Sequence, residues 1–90
     1  MFRYSLSDKL QLIVKKLVRK DKKIAEIIYR KIKEIVNSTP ETIQHYKNLR
    51  YDLSDYKRVH IDKSFVLTFK VDIANNFILF WDFDHHDNIY

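Results

Sequence analysis

Leu6, Leu10, Ile13, Val14 and Leu17 recur at a spacing that gathers them on one face of a helix. Ser7 stands where an N-cap belongs, while Lys9, Lys16, Arg19 and Lys20 fall on the more exposed faces. The pattern stalls at Asp21, whose side chain can cap a second helix. That helix has Ile24, Ile27, Ile28, Ile32 and Ile35 as its apolar stripe and ends near Asn37-Ser38-Thr39-Pro40, because proline disfavours helix at the residue before it. The first half of the chain thus reads as a helical hairpin.

The period then changes. A short helical turn is expected over residues 41–47, and Tyr56-Lys57-Arg58-Val59-His60-Ile61 contains the alternation of a strand. Asp62-Lys63-Ser64 supplies turn residues before the β-rich run Phe65-Val66-Leu67-Thr68-Phe69-Lys70-Val71. A second turn at residues 72–76 leads to Phe77-Ile78-Leu79-Phe80-Trp81-Asp82-Phe83, which is nearly continuous in apolar residues. This predicts an α+β fold in which the helical hairpin packs on one face of a three-stranded antiparallel meander, with room for a short extra strand at residues 3–5. Two helices cover one face of such a sheet and leave the other for a ligand or partner. Phe80, Trp81 and Phe83 are expected in the core or against a partner.

Ninety residues fit one domain, here residues 1–90. The absence of cysteine removes disulfides, thiolate catalysis and thiolate metal sites, and the absence of glycine removes the Walker and Rossmann phosphate loops. The N-terminus lacks the apolar core of a signal peptide and no apolar run is long enough to span a bilayer, so a cytoplasmic protein without membrane contact is expected. The net charge of +5 is unevenly spread. Residues 1–38 carry 11 Lys/Arg against 4 Asp/Glu, while residues 39–90 carry 6 against 8. A concentrated positive field attracts polyanions by counterion release, which makes nucleic acid the leading partner class. Two adjacent histidines near Asp82, Asp84 and Asp87 are competent ligands for a divalent metal, which is the alternative reading of this group. Their spacing matches no metal motif with a mechanical rationale, so neither metal nor cofactor is expected.

A Lys-rich helical hairpin, a Pro-terminated loop, a meander opening with Tyr56-Lys57-Arg58-Val59-His60-Ile61-Asp62 and the ending Asp84-His85-His86-Asp87-Asn88-Ile89-Tyr90 together resemble the RelE/ParE superfamily of toxins. The resemblance covers nearly the whole chain. It implies a ribosome-dependent endonuclease that cuts messenger RNA in the A site with the RNA's own 2′-hydroxyl as nucleophile. It also implies a cognate antitoxin that wraps the toxin and, in complex with it, represses operator DNA. The matching positions are Arg58 and His60 on the basic strand, and His86, His85 and Tyr90 in the tail. Where many family nucleases place an arginine after the aromatic that opens the middle strand, this chain has Val66. That departure leaves open the ParE-like branch, whose members poison DNA gyrase, and a degenerate toxin acting as an operon co-repressor.

Cleavage through a 2′-hydroxyl needs a base, an acid and positive charge on the phosphate. Imidazoles can serve as the base and the acid near neutral pH. Arg58 and His60 lie two apart on a strand, so their side chains leave one face about 7 Å apart. His60 and His86 are assigned as the acid–base pair, Arg58 as the phosphate clamp and Tyr90 as a stacking or proton-orienting group. Lys57, Arg50, Lys63 and His85 are further RNA contacts. Lys15, Lys16, Arg19, Lys20, Lys22 and Lys23, clustered at the bend of the hairpin, are expected to face ribosomal RNA.

Overall fold

The computed structural model describes residues 1–49 and 55–88. Its apolar stripes form α1 (Asp8–Lys20) and α2 (Lys22–Val36). Ser7 Oγ accepts the Leu10 N–H at 3.1 Å and the Asp21 carboxylate accepts the Ile24 N–H at 3.2 Å. Each cap satisfies a donor that the first helical turn cannot, at a worth of about 1 kcal/mol.

The strands are β1 (Arg3–Leu6), β2 (Lys47–Asn48), β3 (Tyr56–Ile61), β4 (Phe65–Asp72) and β5 (Phe77–His85). They form one sheet in the order β1-β5-β4-β3-β2. The meander β3-β4-β5 is antiparallel as expected, and β1 joins it as a parallel edge strand on β5. The sheet has five described strands where the sequence pattern gave three and an optional fourth. The additional one, β2, falls where a helical turn was expected. The helical part of that segment is a 3-10 turn at Thr42–His45, after which the chain extends and Lys47-Asn48 pair with β3.

One face of the sheet, carrying Ile61, Leu67, Phe69, Ile78, Phe80 and Phe83, packs against Leu10, Val14, Ile24, Ile28, Ile32 and Ile35 of the helices. Both hairpins turn without glycine. Asp62 and Asn76 adopt positive φ, 57° and 53°, at positions where short polar side chains tolerate the left-handed region best after glycine. No helix among the described residues is long and apolar enough to cross a membrane.

Candidate nucleic-acid interface

Alternation along β3 divides its side chains between the two faces. Val59 and Ile61 join the core, so Tyr56, Arg58 and His60 point to the face that the helices leave uncovered. Lys57 has the parity of Val59 and Ile61. It is 7% exposed, and its ammonium donates to the Tyr46 carbonyl at 3.1 Å and the Asn48 side-chain oxygen at 2.9 Å. Burial pulls its pKa below the ordinary lysine value. The expected phosphate contact of Lys57 is therefore corrected: its charge is spent inside the protein, holding β2 and the preceding turn against β3.

The strand that Lys57 holds brings up a cation that the sequence did not flag. Lys47 pairs with Arg58 across the β2–β3 ladder, so the two share the uncovered face. Neither makes an ion pair with a described residue. Like charges directly opposite one another destabilise a sheet, and an anion between them removes that cost. Lys47 and Arg58, with His45, Tyr46, Val59 and His60, line a shallow cleft of about 270 Å³. The Tyr46 phenol is held above its ordinary pKa, first by burial and then by the Glu34 carboxylate. The sequence signal for Lys47 and His45 was weak, because Lys47 lies in a strand that exists only through its pairing and His45 in the short turn before it.

Val66, opposite His60, and Thr68, opposite Arg58, form the floor of this face, each 1% exposed. No cation stands where the family resemblance leads one to expect arginine. Beyond them, a register shift between Thr68 and Phe69 sets an extra residue into β5. Phe80 and Phe83 are core, whereas Trp81 is 41% exposed and lies 5.7 Å, ring to ring, from Tyr56. The Lys70 ammonium lies 5.6 Å from the centre of the Tyr56 ring. An aromatic pair, Trp81 exposed and Tyr56 half-buried, thus adjoins Arg58, which is two residues from Tyr56 on the same face.

The tail arrives at the turn between β3 and β4. His86 N–H donates to the Ser64 carbonyl at 2.9 Å, and its ring Nδ1 lies 3.1 Å from the same oxygen. His60 stands opposite Val66, and Val66 opposite Asp84, so β4 separates the strand-borne imidazole from the start of the tail. His60 and His86 are brought to the same end of the sheet, with exposed Lys63 on the intervening turn. His85 stacks on His86 with centroids 4.6 Å apart. Asp84 is held below the usual carboxylate range, first by the Asn88 amide at 3.1 Å and then by the His85 N–H. Arg50 and Tyr90 lie outside the described residues. Lys15, Lys16, Arg19, Lys20, Lys22 and Lys23 are all exposed, but they belong to the helical layer. They form a second basic surface, separate from the cleft.

The comparisons with known proteins agree with this architecture. The chain is 50% identical over its full length to "Putative toxin RelE4" of Methanocaldococcus jannaschii, covering 92% of that protein. Among solved structures it resembles a metal-bound toxin from Helicobacter pylori, with a TM-score of 0.75, 18% identity and full coverage of both chains. It also resembles YafQ from E. coli, with a TM-score of 0.69, 16% identity and coverage of 98% of this chain and 97% of the other. No family model matches the chain.

Proposed function

Starting from the fact that this chain belongs to the RelE-type toxins, we propose that it is the toxin of a toxin–antitoxin pair and an endoribonuclease that cuts messenger RNA on the ribosome. The observation that carries this reading is the opposition of Lys47 and Arg58 beside His60, a cleft made for a phosphate next to an imidazole. In the reaction, one of His60 and His86 takes the proton of the 2′-hydroxyl and the O2′ attacks the adjacent phosphorus. The bond to the 5′-oxygen breaks, and the other imidazole supplies its proton. The products are a 2′,3′-cyclic phosphate and a 5′-hydroxyl. Arg58 and Lys47 balance the charge that builds on the phosphoryl oxygens, a task that the position of Val66 leaves to them. Trp81, exposed beside Tyr56, offers an aromatic face on which a neighbouring base stacks. The basic helical layer contacts ribosomal RNA, and the antitoxin covers the toxin and carries the complex to operator DNA.

Primer extension on ribosome-bound message tests the reading. Cuts are expected with the wild-type chain and are expected to disappear in His60→Ala and in His86→Ala. Unchanged cutting in both variants would sink the assignment. Growth arrest with intact message and inhibited gyrase would favour the ParE-like alternative, whose supporting feature is Val66 in place of a cation.

A further inference from the structure

We propose that His85, His86 and Asp87 form a binding site for a divalent transition-metal ion of the zinc class. Their ligating atoms all lie within 4.8 Å of one another. Asp87 Oδ2 is 3.4 Å from His85 Nδ1, and Asp87 Oδ1 is 3.1 Å from His86 Nε2. With metal–ligand bonds of about 2.0–2.2 Å, neighbouring donors of a tetrahedral shell stand about 3.3–3.6 Å apart. The separations across Asp87 already approach the edges of such a shell. The 3-10 turn at His86–Asn88 produces this from three consecutive residues, because it reverses the chain tightly enough to set Asp87 against both rings. The sequence shows the residue types side by side, but their spacing matches no metal motif and the turn alone supplies the geometry.

The surroundings of His86 strengthen the assignment. A backbone carbonyl can only accept, so the contact of Nδ1 with the Ser64 oxygen places the ring's N–H at Nδ1 and leaves the Nε2 lone pair facing Asp87 in the neutral imidazole. Metal-bound histidines are held in this way, with the second nitrogen donating to a carbonyl or carboxylate. At His85, Nδ1 accepts the Asp87 N–H in a long hydrogen bond of 3.3 Å, which marks this nitrogen as the unprotonated one on the Asp87 side; a bound ion takes over its lone pair from that N–H. Two imidazoles and a carboxylate without sulfur suit Zn²⁺, Ni²⁺ or Cu²⁺ and not Mg²⁺ or Ca²⁺. Three protein ligands on an open surface leave at least one position for water.

If His86 also moves a proton in RNA cleavage, which rests on the function proposed above, metal and substrate compete for it. An ion bound at Nε2 occupies the lone pair that proton transfer uses, so zinc holds the nuclease inactive by ligating its tail.

The site is tested on the full chain by following histidine ring resonances during titration with ZnCl₂ alone. The His85 and His86 signals should shift and saturate at one equivalent, while those of His45 and His60 stay in place. His85→Asn and Asp87→Asn should each weaken binding about tenfold or more. No saturable shift at the tail, or equal affinity in both variants, overturns the site. In the cleavage assay, saturating zinc should stop cutting by the wild-type chain and spare Asp87→Asn at the same concentration. Cutting that continues in a zinc-saturated chain overturns the inhibitory role. Absence of cutting under every condition, with binding intact, overturns the nuclease reading and leaves the site standing.

Discussion

The Lys57 ammonium donates a 2.9 Å hydrogen bond to the side-chain oxygen of Asn48, and this contact fastens the short strand that carries Lys47 to the strand that carries Arg58. Lys57→Met keeps the buried stem and removes the donor. Protection of the β2 amides from hydrogen exchange is expected to fall, while the amides of α1 and α2 keep theirs. Cleavage should drop with it, since Lys47 loses its fixed place opposite Arg58. Unchanged exchange in β2 would show that the ladder holds the strand without help.

Lys47 and Arg58 should weaken each other when no anion is bound. Lys47→Ala is therefore expected to leave stability unchanged or slightly higher. Arg58→Ala should lower kcat on ribosome-bound message by about 10²-fold or more, as removal of a preorganised charge-stabilising group does. Stability from chemical denaturation and kcat from primer extension, measured on the same samples, check the pair.

Trp81→Ala removes the exposed member of the aromatic pair. A base that stacks there loses about 1–3 kcal/mol, so KM is expected to rise about fivefold or more with kcat nearly constant. A fall in kcat without a change in KM would assign Trp81 to something other than substrate binding.

At the β4–β5 turn, the Asn75 side-chain amide donates to Asp72 at 2.7 Å and the Asn75 backbone N–H donates at 3.1 Å; together they hold the Asp72 carboxyl below the usual carboxylate range. A group whose pKa is lower in the folded state adds stability above its unfolded pKa, and that stability is lost as pH falls through the folded value. In Asn75→Ala the Asp72 titration, followed by its carboxyl carbon shift, should move up toward the ordinary aspartate value. The acid limb of the stability curve should flatten accordingly.

Ile28 is fully buried between the helical layer and the sheet. Ile28→Ala should cost about 2–5 kcal/mol, the range for a large-to-small change in a core, read as a shift in the denaturation midpoint at constant slope.

The helices were legible because their stripes and caps agree: Leu10 and Val14 in α1 and Ile24, Ile28, Ile32 and Ile35 in α2 are all buried. The placement of Arg58 and His60 followed from the parity of β3, and the same parity could have excluded Lys57, which alternates with Val59 and Ile61. The position of Lys47 was not legible, since neither Lys47 nor Asn48 favours a strand and only the register with β3 makes them one. The outward turn of Trp81 depends on a bulge in a run that is apolar almost throughout, where alternation carries no signal. The approach of Asp87 to both imidazoles depends on a turn geometry that one-dimensional spacing does not encode.

The N-terminal strand completes the sheet by docking on the last one, Arg3 beside Phe77 and Leu6 beside Phe80, and Lys9 reaches across to Asp82. A nascent chain that has emerged only through its helices has nothing for its opening residues to pair with. The edge closes only once the distant C-terminal residues have been made, so folding to completion follows synthesis and a prematurely terminated product lacks both the closed sheet and the tail imidazoles.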